Sequence, residues 1–463
     1  MAVKILKNHE RNLTIGPIFK QIFLYSLPLL LTIVLQRLFH ITDTLMLGAF
    51  AVDSDNAMAA TGTSGSIINI ITGLALGLSV GAQVSLSHAV GENDKEKARK
   101  VVGTAILISV MAGLIAVSIC EPLAGTLLRW TDCPEAIMEK AVLYFRIYAA
   151  GLPFLMFNNF ASGVLRATGD TFRPMVYSLI GGVLNVGLNA VFIIAIGWDV
   201  QGVALATVIS QGVTSICLII VITRGEGFSR FKLKYFKLHK EQFIKMVKIG
   251  LPSGIHTSIS AVANTVVQTS INSFGELAVA GNSIASQVEA LAWCFGDAVA
   301  LSTMAFVGQN YGAKKPDRIK KGLLYGVLLN FIMTGAVCAV FLPFAHKFTY
   351  LFTESSEVVK FALTKIYIIL PGQIFCGIMN CTGYSLKSLN KPFFSMACSI
   401  SASCLLRVIW LNTVVRFYHH FFMIFVIYYI GWITVIIIES IYLSKLIKKL
   451  KEERQETLAP MNV

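Results

Sequence analysis

The sequence predicts an all-α integral membrane protein with twelve transmembrane helices, arranged as two six-helix lobes in a parallel pseudo-twofold repeat. Three observations predict this fold class. First, the 463 residues are 55% hydrophobic and only 14% charged, with a mean hydropathy of +0.69, whereas a soluble protein carries about 25% charged residues. Second, apolar segments of membrane length recur along the chain. Third, motifs of the first half return in the second half.

Twelve apolar segments are long enough to cross a bilayer, since each has about 20 residues. They are predicted at 18–47, 57–88, 101–128, 137–163, 174–197, 202–222, 243–272, 277–309, 321–343, 360–385, 393–415 and 421–444. Their apolar runs are continuous rather than alternating, which excludes a β-barrel. An even number of spans returns the chain to the side on which it starts.

The distribution of basic residues predicts the orientation. Of the 39 Lys and Arg residues, 30 fall in alternate loops and the two tails, and six, including Lys365, fall in the opposite loops. Three lie within the segments: Arg37, Arg146 and Arg407. This asymmetry follows the positive-inside rule and predicts a multi-pass protein of a bacterial inner (plasma) membrane with both termini in the cytoplasm. The net charge of +14 therefore indicates contact with anionic lipid rather than with nucleic acid.

Motifs for enzymatic chemistry were not found. The nine cysteines show no CxxC or CxxH spacing, so they are expected to be buried small apolar residues without a metal. The chain contains no GxxxxGK[ST], HExxH or GxSxG pattern. The sequence thus predicts neither an ATP-driven pump nor an enzyme, and no cofactor.

Internal repeats predict the domain organisation. Leu27-Pro28 recurs as Leu251-Pro252 at an offset of 224, and the motif around Gly91 recurs around Gly312 at an offset of 221. We predict an N-terminal lobe at 1–223 (helices 1–6), a cytoplasmic linker at 224–248, a C-terminal lobe at 249–445 (helices 7–12) and a cytoplasmic tail at 446–463. A substrate path is expected between such repeats.

The first segment carries polar side chains where a lipid-facing helix has none. Gln36, His40 and Asp43 are spaced i, i+4 and i+7, which places them on one helix face. Asp43 follows Phe19 by about 36 Å of helix, and a carboxylate at that depth is by default functional. The alternative is that the helix ends near Asp43 and that the residue is an interfacial cap.

Other segments supply possible partners of Asp43. Asn185 and Asn189 share a face of the fifth segment, and Thr207 lies in the sixth. Amide and hydroxyl groups can hydrogen-bond a carboxyl or supply oxygen ligands to a cation. Simple hydrogen bonding between helices is the equally weighted alternative for the asparagines.

The second half contains further polar residues in apolar segments. Glu289 and Asp297 lie in the eighth segment, and Arg407 in the eleventh could neutralise either of them. A lone intramembrane histidine such as His256 is more often a packing residue than a proton carrier. The residues predicted to line a substrate cavity are Gln36, His40, Met46, His256, Gln268, Glu289, Asp297 and Arg407.

Four stretches together resemble the multidrug and toxic compound extrusion (MATE) family. They are LPLLLTIVLQRLFHITDTLMLGAFA, GLSVGAQVSLSHAVGENDKEKARK, GVLRATGDTFRP and VGQNYGAKKPDR. The similarity covers about residues 16–445. It implies two six-helix lobes forming a V, alternating access, and export driven by inward H⁺ or Na⁺.

The resemblance also implies roles for single residues. The family's Asp-Thr pair falls on Asp43-Thr44, which makes Asp43 the implied proton or Na⁺ site. The sequence is closer to the DinF-like branch, whose helix 5 asparagine matches Asn185 and whose helix 6 threonine matches Thr207. Asn189 stands where that branch has an aspartate. The acid of NorM-like members is replaced by Ser260, so their C-lobe sodium site is not expected.

The sequence therefore predicts a secondary antiporter that exports amphipathic or cationic organic compounds, including antibiotics, in exchange for H⁺ or Na⁺. The expected partners are small-molecule drugs or toxic organics and the lipid bilayer, with the protein a monomer. The first alternative is a lipid-linked substrate flippase of the same superfamily, for which Arg37, Arg146 and Arg407 would have to form a cationic cavity. The second is a receptor or scaffold without transport, which the duplicated layout and the buried acids argue against.

Overall fold

The computed structural model describes residues 9–458, and these form helices joined by short loops, without strands. In chain order the helices are α1 (Ile18–Phe50), α2 (Ser54–Gly91), α3 (Lys95–Arg129), α4 (the pair Glu135–Ala150 and Leu152–Ala167), α5 (Phe172–Ala195), α6 (Val200–Arg224), α7 (Lys240–Asn272), α8 (Glu276–Gly312), α9 (Pro316–Tyr350), α10 (Ser356–Ser388), α11 (Pro392–Val415) and α12 (Met423–Leu458). A short 3₁₀ turn, Leu233–Tyr235, lies between α6 and α7.

The all-α fold class with many membrane-length helices is confirmed. Among residues 9–458, ten helices are long and apolar enough to cross a membrane, and α4 makes an eleventh if its two parts form one span. The two parts of α4 meet at 46° beside Gly151, close to Pro153, whose ring disfavours a continuous helix. The twelfth predicted segment in this set is α7, which has 33 residues but a more polar sequence.

The chain divides into two compact units. Unit 1 comprises Leu31–Gly254 with the described residues before Leu13, and unit 2 comprises Leu13–Leu30 with the described residues from Ile255 onward. In α1 the division follows Pro28 by two residues, and in α7 it follows Pro252 by two residues. Both prolines remove a hydrogen bond from the helix interior. The predicted lobe and linker borders stay a prediction.

The predicted internal repeat is visible in the helix ends. Asn93 after α2 and Lys314 after α8 both adopt positive φ, 59° and 52°, at the sequence offset of 221. The flanking backbone bonds also match, because Asp94 N donates to Ala89 O while Lys315 N donates to Asn310 O. These bonds satisfy the last carbonyls of each helix. The same turn therefore closes corresponding helices in the two halves.

Each unit has its own apolar cores. In unit 1 one core is built around Leu86, Val101 and Phe160, and a second around Leu47 and Phe145. In unit 2 the cores lie around Phe425 with Trp432, around Val288, and around Val307 with Leu386. These clusters fix the helices that carry the polar side chains described below.

Candidate functional site

The polar face of α1 lies against α5. Asp43 accepts a hydrogen bond from Asn189 Nδ2 at 2.5 Å, and Gln36 Nε2 lies 3.4 Å from Ser178 Oγ as a long contact. Between them Phe39 packs on Gly182, where a Cβ would overlap the ring. Gly182 thus allows the close approach that brings Asp43 to α5. Gln36 and His40 are otherwise exposed at the α1 surface.

All four residues predicted for coupling lie together. Asn189 Nδ2 also lies 3.4 Å from Asn185 Oδ1, and Asn185 Nδ2 lies 3.4 Å from Thr207 Oγ1. Thr207 in turn donates to Val203 O at 2.9 Å. We call Asp43, Asn185, Asn189 and Thr207 the N-terminal polar cluster. It joins α1, α5 and α6 by contacts between side chains.

The asparagines of this cluster are buried and locally specified. Asn189 is 0% and Asn185 is 6% exposed, and Asn189 Oδ1 has no hydrogen-bond partner in the described residues. A π-helical segment, Ala190–Ala195, begins directly after Asn189. Such segments are often found at functional sites because they interrupt the regular ladder. Buried oxygen atoms beside a carboxylate are suited to holding a proton or a hard cation.

The electrostatic surroundings of Asp43 are neutral. Within the part of the chain that the structure describes, its carboxylate contacts an amide and pairs with no lysine or arginine. Tyr144 of α4 lies close enough for an electrostatic interaction. An acid in an apolar helix without a cationic partner requires water, a proton or a cation.

The second half contains a polar cluster of different composition. Glu289 Oε2 forms an ion pair with Lys365 Nζ at 2.9 Å, and Glu289 Oε1 accepts from Gln373 Nε2 at 3.2 Å. Lys365 also donates to Asn282 Oδ1 at 2.9 Å and to Ser286 Oγ at 2.6 Å. We call these five residues the C-terminal polar cluster. Its carboxylate already has a positive partner, Lys365, and accepts a hydrogen bond from Gln373.

The position of Lys365 was predicted wrongly as an outer loop. It lies within α10 and is 7% exposed, because a carboxylate, an amide and a hydroxyl surround its ammonium group. The prediction that Arg407 could neutralise Glu289 or Asp297 is also wrong, since Arg407 contacts Asn264 and Tyr428 and Lys365 pairs with Glu289. The sequence could have indicated this position, because the predicted transmembrane segment 360–385 already contained Lys365.

Other predicted cavity residues are spread over unit 2. Gln268 donates to Asn272 Oδ1 at 2.9 Å and accepts from Asn282, which connects α7 to the C-terminal polar cluster. Asp297 accepts from the Tyr384 hydroxyl at 3.1 Å. Arg407 Nη1 donates to Asn264 Oδ1 at 3.0 Å and contacts neither predicted acid.

The remaining two predicted residues lie elsewhere. His256 is partly buried in α7 and lies in electrostatic range of Lys387. Met46 packs against the apolar core around Leu47 in unit 1. A cavity role for these residues stays a prediction.

In unit 2, sequence reasoning missed two buried charges besides Lys365. Lys387 is 6% exposed in the last turn of α10 and lies in electrostatic range of Glu439 and Asp297. Glu439 of α12 is 0% exposed and accepts from Thr382 Oγ1 at 2.6 Å. Glu439 interrupts the apolar run IIIESIYL, and that interruption was a usable signal.

A charged triad lies at the loop ends of unit 1. Lys140 Nζ contacts Asp53 Oδ2 at 2.6 Å and Asp199 Oδ2 at 3.0 Å, and Asp199 Oδ1 accepts from Val52 N at 3.0 Å. The hydrogen bond from Lys140 lowers the pKa of Asp53 from its ordinary value of 3.8. We call Asp53, Lys140 and Asp199 the loop triad. It connects the α1–α2 turn, α4 and the α5–α6 turn.

Comparison with known proteins identifies the family. The MatE family model matches residues 28–191 and 252–414, once in each half of the chain. The chain belongs to the MatE family. The double match also agrees with the repeat seen in the helix ends.

Two curated proteins and a solved structure are similar to this chain over most of their length. The probable multidrug resistance protein YoeA of Bacillus subtilis is 24% identical over 393 residues, covering 83% of this chain and 84% of YoeA. The probable multidrug resistance protein NorM of Thermotoga maritima is 24% identical over 411 residues, covering 86% and 87%. A solved outward-facing multidrug resistance MATE transporter matches with a TM-score of 0.90 at 24% identity, covering 96% of this chain and 99% of that one. This MATE protein is thus a multi-pass membrane transporter.

Proposed function

We propose that this MATE protein is a secondary antiporter that exports amphipathic, often cationic, organic compounds in exchange for H⁺ or Na⁺, with Asp43 as the coupling residue. The observation that carries the proposal is the Asp43 carboxylate with only neutral partners in the described residues. The multidrug resistance names of YoeA and NorM support the substrate class. The comparisons do not favour the flippase alternative.

The chemistry of coupling follows from the N-terminal polar cluster. When Asp43 holds a proton or Na⁺, the cluster is electrically neutral in its apolar surroundings. When Asp43 is ionised and holds neither ion, binding of a cationic substrate elsewhere in the transporter is favoured. Each ligand then stabilises a different conformation, which is the requirement for exchange. Asn189 holds the carboxylate in place through its Nδ2 donor.

The finer assignments belong to the same proposal. We place the chain nearer the DinF-like branch because Asn185 and Thr207 match that branch. The protein is proposed to act as a monomer in the plasma membrane with cytoplasmic termini, in line with the distribution of Lys and Arg. For Na⁺, the candidate ligands are Asp43, Asn185 Oδ1, Asn189 Oδ1 and Thr207 Oγ1.

The test is transport by purified protein in proteoliposomes, with a pH gradient and a Na⁺ gradient imposed separately. A fluorescent cation such as ethidium reports movement of the substrate. We expect one of the two gradients to drive accumulation or efflux well above protein-free liposomes. Transport that neither gradient accelerates would refute antiport while leaving membership of the family intact.

A further inference from the structure

Arg407 is a buried cation with unusual surroundings. It lies in the short α-helical stretch of α11, Leu406–Trp410, between two π-helical segments, and it is 8% exposed. Its Nη1 donates to Asn264 Oδ1 at 3.0 Å, and its Cζ lies 4.0 Å from the Tyr428 ring centroid. One neutral hydrogen bond and one aromatic face therefore hold the guanidinium in a fixed plane.

No acid neutralises this guanidinium in residues 9–458. The guanidinium contacts the Asn264 amide and the Tyr428 ring, and its Nε is buried without a hydrogen-bond acceptor. Glu289 lies in the same region, but its two oxygens are taken by Lys365 and Gln373. Leaving a buried charge without a counter-ion is costly. The site therefore offers unused donors and a positive charge to an anion.

The internal repeat relates the surroundings of Arg407 to those of Asp43. At the offset of 224 between the α1 and α7 prolines, His40 corresponds to Asn264 and Asp43 to the apolar Val267. A π-helical segment follows in both halves: Ala190–Ala195 begins directly after Asn189, and Leu411–Val415 begins four positions after Arg407. The α7–α11 contact thus repeats the α1–α5 contact with the opposite charge. One half presents a carboxylate and the other presents a guanidinium.

We propose that Arg407 is a subsite for the carboxylate of an amphipathic organic substrate, an inference that rests on the proposed export of organic compounds. The planar fork of an arginine suits two parallel hydrogen bonds to a carboxylate. Asn264 and Tyr428 orient the fork, and the Tyr428 ring supplies an apolar wall beside the bound group. The preferred substrates then include zwitterions that carry a carboxylate, in addition to simple organic cations.

The test uses two dyes that differ at a single group: rhodamine 110, with a free carboxylate, and rhodamine 123, its methyl ester. Binding to the purified full chain in phosphatidylcholine nanodiscs is followed by fluorescence anisotropy. We expect Arg407→Gln to lower the affinity for rhodamine 110 about tenfold, the typical effect of losing a charge-assisted hydrogen bond. Rhodamine 123 should change by less than about twofold, because an ester carries no charge to pair.

The control variant is Arg146→Gln, whose side chain is exposed and pairs with Glu121 at 3.6 Å. It should bind both dyes like the wild type. Arg407→Lys should recover part of the rhodamine 110 affinity, because the charge returns without the planar fork.

Several results would overturn the proposal. If Arg407 has only a structural role, Arg407→Gln should lower the affinity for both dyes equally. If Arg407→Gln binds rhodamine 110 as the wild type does, or if the wild type does not bind this dye, Arg407 is not a carboxylate subsite. Competition by phosphatidylglycerol in the wild type but not in Arg407→Gln would assign the site to a lipid phosphate instead. Because binding is measured without a gradient, failure of antiport and failure of this subsite give different results.

Discussion

Asp43 in unit 1 and Glu289 in unit 2 are both carboxylates in apolar helices, but their partners differ in charge. Asp43 accepts from the neutral amide of Asn189, whereas Glu289 pairs with the ammonium of Lys365 at 2.9 Å. A carboxylate that already has an ammonium partner gains little from a proton or Na⁺. A carboxylate with neutral partners gains charge neutralisation from either ion. An acid suited to ion coupling is therefore distinguished by the charge of its partners and not by its position within an apolar segment.

The largest expected effect comes from removing the charge of Asp43. Asp43→Asn keeps the size of the side chain but cannot exchange a proton or balance Na⁺. We expect gradient-driven efflux from proteoliposomes to fall to the level of protein-free liposomes, with the protein still folded and inserted. Asp55→Asn, an exposed acid in the first turn of α2, should transport like the wild type. Retained efflux in Asp43→Asn would move the coupling site elsewhere, with Glu289 the next candidate.

The second prediction concerns stability in unit 2. Glu289→Gln leaves the buried ammonium of Lys365 without its partner, which typically costs about 3–5 kcal/mol. Lys365→Met leaves the carboxylate of Glu289 unpaired, and the loss should be smaller because that side chain is 27% exposed. The double variant removes both charges and should recover much of that loss. Thermal unfolding of the purified proteins measures the three changes. If the two single losses simply add in the double variant, the ion pair does not exist in the folded protein.

The third prediction adds a second acid to the N-terminal polar cluster. In Asn189→Asp two carboxylates would lie within hydrogen-bond distance, and like charges that close cannot both ionise cheaply. The pair should retain a proton at pH values where Asp43 alone has released it. We expect the pH optimum of transport to move upward by about one unit. Asn412→Asp, at an exposed position of α11, is the matched control. An unshifted pH optimum in Asn189→Asp would show that the side chains at positions 43 and 189 do not interact.

The smallest effect is expected at the loop triad. Because the hydrogen bond from Lys140 lowers the pKa of Asp53 below 3.8, the pairing is present above that value and is lost only as the pH falls through the lowered pKa. Asp53→Asn should therefore reduce the melting temperature slightly, and by the same amount at pH 7 and pH 5. A difference that disappears between pH 7 and pH 5 would contradict the lowered pKa. Such a result would make the triad a pH sensor.

The sequence was sufficient for the fold class because continuous apolar runs determine membrane helices directly. It was also sufficient to choose the residues of the N-terminal polar cluster. Asn185 and Asn189 share a helix face by their spacing alone, and Asp43 is a carboxylate deep in an apolar segment. The resemblance to the MATE family added matches for Asp43 and Thr207. The bond between Asp43 and Asn189 required the structure, because it depends on the approach of Phe39 to Gly182.

The charges of unit 2 could not be placed in the same way. Lysine was counted as a marker of loops, and this is sound only for a side chain without a buried partner. The carboxylate that keeps Lys365 inside α10 comes from α8, 76 residues earlier in the chain. Likewise Arg407 finds Asn264 and Tyr428 from two other helices. No local pattern encodes such contacts between distant helices.

The central claim is that Asp43 exchanges its ion when substrate binds. The most direct measurement is substrate-induced ion release from the purified protein in weakly buffered detergent solution. A pH indicator detects protons, and displaced ²²Na⁺ detects sodium. The wild type should release about one proton or Na⁺ per bound ethidium, because one carboxylate changes its occupancy. Asp43→Asn should bind ethidium and release neither ion, whereas release from this variant equal to that of the wild type would contradict the account.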